Sequence, residues 1–167
     1  MCGIIGFTGN EPAKDIIIGG LERLEYRGYD SAGLALLSND QIQVRKRTGK
    51  VEELRKLCAA EKMPATCGIG HTRWATHGGV TDVNAHPHRV GKVVLIHNGI
   101  IENYRQIVTE YGLADQLVSE TDSEVVAALM NKFYEGDPVK AIKKTVKVLS
   151  GAFALCIMFQ DIPDTIY

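Results

Sequence analysis

The chain has 167 residues, an apolar fraction of 45%, a charged fraction of 23% and a net charge of −1 at pH 7. This length predicts one domain with a single core, and the composition is typical of a globular protein. The near-zero charge argues against nucleic-acid binding, which needs a surplus of Lys and Arg on one face. No apolar run approaches the ~20 residues that span a bilayer, and the N-terminal segment lacks the features of a signal peptide. We therefore expect a cytoplasmic protein without nucleic-acid or membrane partners.

Four cysteines lie at positions 2, 58, 67 and 156, and no two of them form a Cys-x-x-Cys pair. In a reducing compartment this pattern predicts no disulfide framework and no structural zinc site. Histidines are the other candidate metal ligands, in particular His71, His77, His86 and His88. Because no carboxylate or cysteine recurs at a ligand spacing beside them, we expect neither a metal nor a cofactor. Hydrogen bonds from these histidines to the backbone are predicted instead.

Apolar periodicity predicts clustered strands and helices along the first half of the chain. The predicted elements are a strand at 3–9, a helix at 13–26 that Gly28 ends, strands at 31–38 and 41–47 around the turn Asn39-Asp40, a helix at 51–61 and a strand at 67–71. A long irregular stretch is expected from 73 to 91.

The second half is predicted to begin with an apolar strand at 93–97 that ends abruptly at Asn98-Gly99. A helix follows at 104–111, a second opens at Thr121 with a Thr121/Glu124 capping box, a third opens at Asp137-Pro138, and a last strand occupies 152–159. Clustered elements, rather than strict alternation, favour the α+β class with largely antiparallel sheets. The chain stops at Tyr167 as though another strand were beginning, which indicates a C-terminally truncated domain; an ordinary C-terminus is the alternative.

Cys2 directly follows the initiator methionine, and a small residue at this position favours removal of Met1. The processed chain would carry a thiol of pKa ~8.5 and an α-amine of pKa ~7.7–8.0 on the same residue. Such an amine can act as the base for the nucleophile of its own residue. The alternative is a small buried side chain near a chain end, and position alone favours that interpretation.

Asn98 and Gly99 follow the predicted strand at 93–97. A side-chain amide beside an unobstructed backbone N–H can stabilise an oxyanion by ~3–4 kcal/mol for each donor. Asn-Gly is also the commonest hairpin turn, so a plain turn is the alternative.

Arg73 and Trp74 come where the predicted strand 67–71 has ended, and Asp122 comes in the first turn of a predicted helix. Arginine can bind a carboxylate through two parallel hydrogen bonds, and the helix dipole keeps Asp122 ionised. Arg73 and Asp122 together could therefore recognise both charged ends of a free α-amino acid. Trp74 could exclude water when its loop closes. A core-edge anchor for Trp74 and an ordinary first-turn acid for Asp122 are the alternatives.

Six segments in order resemble the class II glutamine amidotransferase domain. They are Cys2-Gly-Ile-Ile-Gly, Leu-Glu-Tyr-Arg-Gly-Tyr-Asp-Ser-Ala-Gly at 24–33, His-Thr-Arg-Trp-Ala-Thr-His-Gly at 71–78, Asn-Ala-His-Pro-His at 84–88, His-Asn-Gly-Ile-Ile-Glu-Asn at 97–103 and Ser-Glu-Thr-Asp-Ser-Glu at 119–124. The second, third and fifth segments are similar to those of the glutamine:fructose-6-phosphate amidotransferases, or glucosamine-6-phosphate synthases. The purine-pathway and asparagine-synthetase relatives are expected to have different residues in these three segments.

The resemblance implies an N-terminal-nucleophile hydrolase fold, an αββα sandwich of two antiparallel sheets between helix layers. Residues 1–167 would form one glutamine amidotransferase domain, incomplete at its C-terminus and without the isomerase domains. Cys2 is implied as the nucleophile, and Asn98 and Gly99 as the oxyanion hole. The implied substrate-binding residues are Arg73, Trp74, Thr76, His77 and Asp122.

The implied reaction is the hydrolysis of L-glutamine to glutamate and ammonia through a Cys2 thioester. In the full-length enzymes the ammonia passes to a sugar-phosphate isomerase domain that makes glucosamine 6-phosphate from fructose 6-phosphate. No cofactor is implied, and the full-length enzyme is expected to be a homo-oligomer. Two alternatives stay open: a class II domain of another pathway, and an inactive fragment that only binds glutamine.

Overall fold

The computed structural model describes residues 2–167, so the predicted removal of Met1 lies outside the described residues. The strands are β1 (Gly3–Thr8), β2 (Ser31–Ser38), β3 (Gln41–Thr48), β4 (Cys67–Arg73), β5 (His88–Val90), β6 (Val93–Ile101) and β7 (Gly151–Phe159). The α-helices are α1 (Ala13–Leu24), α2 (Val51–Ala59), α3 (Tyr104–Tyr111), α4 (Asp122–Phe133) and α5 (Pro138–Val148). None of these helices has the length and apolar character that crossing a bilayer requires.

The strands form two antiparallel sheets, one in the order β1-β4-β2-β3 and the other in the order β5-β6-β7. Helices α1 and α2 pack on the outer face of the first sheet. Helices α3, α4 and α5 cover the outer face of the second. A third apolar cluster fills the space between the sheets. The predicted α+β class and αββα sandwich are therefore confirmed.

Side-chain alternation along the strands produces these layers, because successive residues of a strand point to opposite faces. In β2, Leu34 and Leu36 pack against α1 and α2, whereas Ala35 and Leu37 pack against the second sheet. Strand β6 alternates in the same way, with Val93 and Leu95 toward the helices and Val94 and Ile96 toward the first sheet.

Two predicted helix starts have the expected caps. The Thr121 hydroxyl accepts a hydrogen bond from the Glu124 N–H at 3.2 Å, and the Asp137 carboxylate accepts one from the Lys140 N–H at 3.0 Å. The capping box at Thr121 is only half formed, because the Glu124 carboxylate accepts from the N–H groups of Val118 and Ser119 instead. The Glu124 carboxylate thus binds the backbone that precedes α4 and not the N–H of the cap residue Thr121.

Two predictions about strand limits are wrong. The stretch 73–91 is not irregular throughout, since β4 extends to Arg73 and β5 pairs with β6. The strand at 93–97 does not end at Asn98-Gly99 either, because β6 continues to Ile101 and β7 pairs with it along this whole length. Asn98-Gly99 is consequently neither a hairpin turn nor a strand end, but a pair of residues inside a strand.

Candidate active site

A cavity of about 480 Å³ lies where one end of the first sheet meets β6 and the start of α4. Its volume is in the range that small-molecule sites occupy. The residues predicted to act on or bind substrate lie together around it: Cys2, Arg73, Trp74, Thr76, His77, Asn98, Gly99 and Asp122.

Cys2 lies beside the end of β4, because β1 and β4 pair with Gly3 opposite Thr72. The Gly3 N–H donates to the Thr72 hydroxyl at 3.0 Å, which fixes the first residue of β1. The Trp74 N–H donates to Cys2 Sγ at 3.1 Å. Cys2 Sγ in turn lies 3.6 Å from the Trp74 carbonyl oxygen, so the Trp74 backbone positions the thiol.

Asn98 continues the face of β6 that carries Val94 and Ile96, so its side chain points toward the first sheet. Its Nδ2 donates to the Cys2 carbonyl oxygen at 3.2 Å. Gly99 has a φ of 126°, a conformation that favours glycine. A Cβ at Gly99 would lie 2.1 Å from the Ala152 carbonyl oxygen of the paired strand. Only glycine therefore fits at this position beside the cavity.

Arg73 and Asp122 bring opposite charges to the same cavity, and each is only 4% exposed. The Arg73 guanidinium donates to the Gly79 carbonyl at 3.0 Å and to the His77 carbonyl. The Asp122 carboxylate accepts from the Ile101 N–H at 2.8 Å. Within residues 2–167 neither charged group forms an ion pair. Both charges are thus held in place by neutral partners and remain available to a ligand.

Trp74, Thr76 and His77 belong to the segment that follows β4. The Trp74 side chain is 54% exposed at the cavity rim, while the His77 ring packs edge-on against Tyr104 at a centroid distance of 5.7 Å. The Thr76 hydroxyl lies 3.3 Å from His77 Nδ1. Gly28, with a φ of 91°, leaves room for the indole, since a Cβ there would lie 2.9 Å from the ring.

Four histidines cluster beside the cavity, and two of them, His86 and His97, line it; the sequence does not predict this grouping. His71 and His86 have ring centroids 4.2 Å apart, and His86 and His88 have centroids 4.8 Å apart; His97 lies 6.4 Å from His86. The predicted backbone hydrogen bond holds for His88, which bonds to the Asn84 backbone. It also holds for His71, which bonds to the His97 backbone and in addition to the Asn98 side chain, while His86 Nδ1 lies 3.0 Å from the His71 ring.

Burial keeps this cluster neutral. It lowers the pKa of His71 to about 4 and, with the help of neighbouring histidines, the pKa of His86 well below its usual range. The pKa of His97 is also lowered by burial, against the opposing effect of the Asp122 charge. No group of three or more histidine, cysteine or carboxylate side chains in residues 2–167 is arranged to hold a metal ion.

Several further residues build the site, although the sequence alone predicts no role for them. The Asp30 carboxylate accepts from the Ala75 N–H and so ties the segment after Trp74 to the start of β2. Glu120 accepts from the Gly79 N–H at 3.1 Å and from Asn84 Nδ2 at 2.9 Å, and these bonds lower its pKa. Arg27 also lines the cavity. Asp30, Arg27, Asn84 and Glu120 all lie within the quoted motifs, and membership of a motif was the signal that could have identified them.

Residues 79–166 match the family described as glutamine amidotransferase domain. The chain belongs to this glutamine amidotransferase family.

Two curated relatives of this amidotransferase domain are named glutamine–fructose-6-phosphate aminotransferase (isomerizing). The protein from Caldanaerobacter subterraneus is 47% identical over 171 residues, covering 99% of this chain and 28% of the relative. The Aquifex aeolicus protein is 50% identical over 167 residues, covering 98% of this chain and 28% of the relative. The chain thus spans 28% of the length of these relatives. The resemblance drawn from the motifs is confirmed.

A solved structure of glutamine phosphoribosylpyrophosphate amidotransferase from B. subtilis has the same fold as the amidotransferase domain. It superposes with a TM-score of 0.79 at 27% identity, over 96% of this chain and 35% of that chain. The sandwich of two antiparallel sheets between helices is thus the fold of a known amidotransferase.

Proposed function

We propose that this domain hydrolyses L-glutamine to glutamate and ammonia through a thioester on Cys2. The observation that carries the proposal is the grouping of Cys2, Asn98, Arg73 and Asp122 around one cavity. The guanidinium and the carboxylate are complementary to the two charged ends of a free amino acid. A thiol and an amide donor lie beside them, where the side-chain amide of that amino acid would react.

The first half of the proposed reaction forms the thioester. The free α-amine of processed Cys2 accepts the thiol proton, and Sγ attacks the side-chain carbonyl carbon of glutamine. The negative charge that develops on the carbonyl oxygen is stabilised by Asn98 Nδ2 and the Gly99 N–H. The protonated amine then gives its proton to the departing nitrogen, the C–N bond breaks, and ammonia leaves.

The second half consumes water. The α-amine accepts a proton from a water molecule as its oxygen attacks the thioester carbon, and the C–S bond breaks. Sulfur recovers a proton and glutamate leaves, so the domain returns to its starting state. The free amine is essential in both halves, which makes removal of Met1 a requirement for activity.

The ammonia acceptor is proposed to be fructose 6-phosphate, converted to glucosamine 6-phosphate by a sugar-phosphate isomerase domain of a longer, homo-oligomeric cytoplasmic enzyme. Identities of 47% and 50% to relatives named for fructose 6-phosphate favour this acceptor. The phosphoribosylpyrophosphate amidotransferase is 27% identical, which argues against its acceptor.

Glutamate release by the purified chain tests the proposal, with an intact mass measured on the same sample. We expect the chain without Met1 to release glutamate and Cys2→Ala to release none while still binding glutamine by calorimetry. A chain that retains Met1 is the control, since its Cys2 nitrogen is a peptide amide and not a free amine, and it should be inactive. Glutamate release by folded, processed Cys2→Ala would overturn the nucleophile assignment. Binding without turnover in the processed wild type would identify a glutamine-binding module instead.

A further inference from the structure

The oxyanion-hole side chain of Asn98 contacts a buried histidine of the opposite sheet. His71 lies on the face of β4 that also carries Cys67 and Ile69, which point toward the second sheet. Asn98 lies on the face of β6 that points back. His71 Nε2 and Asn98 Oδ1 are 2.8 Å apart, and His71 is 0% exposed. Strand alternation in both sheets thus makes this contact a fixed feature of the fold.

The chemistry of the neighbours determines which way the Asn98 amide points. Its other side faces the Cys2 carbonyl oxygen at 3.2 Å, and a carbonyl can only accept a hydrogen bond. Nδ2 must therefore face Cys2. In the flipped amide Oδ1 would face the Cys2 carbonyl oxygen, and neither oxygen can donate a hydrogen bond. Oδ1 then faces His71, so His71 Nε2 must carry the proton that it donates.

The ring of His71 contacts another histidine. His86 Nδ1 lies 3.0 Å from His71 Nδ1 and 3.3 Å from Nε2. His86 Nδ1 is thus nearly equidistant from the two ring nitrogens of His71, so it lies against the ring face and not along the Nδ1 lone pair. His86 Nε2 is buried without a hydrogen-bond partner among the described residues. Burial leaves His71 neutral near pH 7, since its pKa is about 4.

We propose that His71 is a positioning residue, whose Nε2–H holds the Asn98 amide with Nδ2 toward Cys2 and the developing oxyanion. The His86 ring packs edge-on against the His71 ring and restricts its orientation. The inference rests on the proposed glutaminase function and adds a residue to its machinery. Without the His71 donor, the amide can rotate and present Oδ1, an acceptor, to a negatively charged oxygen. The loss would fall on the transition state, in which that charge develops, and not on glutamine binding.

Two substitutions separate this role from a structural one. His71→Gln keeps an N–H donor close to the Nε2 position, whereas His71→Leu removes it with similar bulk. We expect His71→Leu to lower kcat for glutamate release by ~10–100-fold with KM within about twofold, a part of the ~10²–10³-fold effect of losing an oxyanion donor. His71→Gln should restore most of the rate. An unchanged kcat in folded His71→Leu would overturn the inference.

A double-mutant cycle with Asn98→Ala adds a measurement that a purely structural role of His71 would not affect. If His71 acts through Asn98, His71→Leu should change kcat less than twofold once Asn98 is already alanine. Equal losses in both backgrounds would overturn the inference. The ¹⁵N chemical shifts of the His71 ring provide a readout independent of activity, and a proton on Nδ1 rather than Nε2 would contradict it. A processed wild type that releases no glutamate would defeat the proposed function, yet the ring shifts would still decide the positioning role.

Discussion

The side-chain amide of Asn98 donates to the backbone carbonyl of Cys2 at 3.2 Å, which links β6 to the residue that carries the thiol. The amide donor and Cys2 therefore keep a fixed separation before any substrate arrives. Such preorganisation is what makes an oxyanion donor effective, because no reorganisation is needed as charge develops.

Replacement of Asn98 by alanine should therefore lower kcat by ~10²–10³-fold and leave KM for glutamine nearly unchanged. Steady-state glutamate release measures both constants. Asn98→Asp is the matched control for size: it keeps the shape but substitutes an acceptor for the donor, and we expect it to be at least as slow. A kcat within threefold of wild type in either variant would exclude Asn98 from the oxyanion hole.

The buried histidines should make the domain lose stability in mild acid. The pKa of His71 falls from 6.5 to about 4 on folding, so the unfolded chain binds a proton first as the pH decreases. The free energy of unfolding is therefore highest above pH 6.5 and declines between pH 6.5 and about 4, by up to about 3 kcal/mol from His71 alone. The charges of His97 and Arg73 also disfavour the added proton, whereas the hydrogen bonds to the Asn98 side chain and the His97 backbone oppose the effect of burial by favouring it.

Urea unfolding at several pH values between 7 and 4.5 checks this linkage. Carboxylates titrate in the same range, so the slope is compared with that of His71→Gln, which keeps every carboxylate. The variant should show the shallower decline. Parallel curves for the two proteins would mean that His71 is protonated as readily in the folded state as in the unfolded chain.

The sequence predicted the layers of the fold because apolar alternation and caps are local signals. The β2–β3 hairpin and the starts of α4 and α5 needed only neighbouring residues, as at Asn39-Asp40 and Asp137. The continuation of β6 beyond His97 was not predictable, because Asn98-Gly99 is locally a turn signal. Pairing with β7, more than 50 positions away in the chain, overrides it.

The predicted site residues came from motifs, whereas the groups that hold them depend on contacts between sheets. Strand β4 shows the distinction, since residues 67–71 carried the strand signal but the pairing of β4 with β2 extends it to Arg73. The contact between His71 and Asn98 joins residues of different sheets, so no local pattern contains it. The same holds for Asp30, because its carboxylate accepts from the Ala75 N–H only once the segment after Trp74 has folded back toward β2.

Two glycines provide a matched test of the packing behind the site. A Cβ at Gly33 would lie 2.1 Å from the His86 carbonyl oxygen, whereas a Cβ at Gly19 on α1 would meet nothing within 4 Å. Gly33→Ala should lower the free energy of unfolding by about 3 kcal/mol, since backbone cannot yield as a flexible side chain does. Gly19→Ala should raise it by ~0.5–1 kcal/mol, because alanine loses less entropy in a helix.

Chemical unfolding of the two variants checks both signs in one experiment. We also expect Gly33→Ala to lower kcat, because the displaced His86 backbone carries the ring that contacts His71. Gly19→Ala should retain the wild-type rate. Equal stability of the two variants would show that the segment around His86 can move away from β2 at little cost.

Asp122 offers a test of how the cavity recognises its substrate. Asp122→Asn removes the negative charge but keeps an oxygen that can accept from the Ile101 N–H. If the carboxylate binds the α-ammonium of glutamine, KM should rise by ~10–100-fold, the equivalent of a hydrogen bond to a charged group, with kcat changed only a few-fold. Glutaric acid monoamide, which lacks the α-amine, is the control substrate, because wild type and variant should hydrolyse it with similar kcat/KM. Equal losses on both substrates would instead identify Asp122 as a residue that supports the start of α4, where a first-turn carboxylate stabilises the helix by ~0.3–1 kcal/mol.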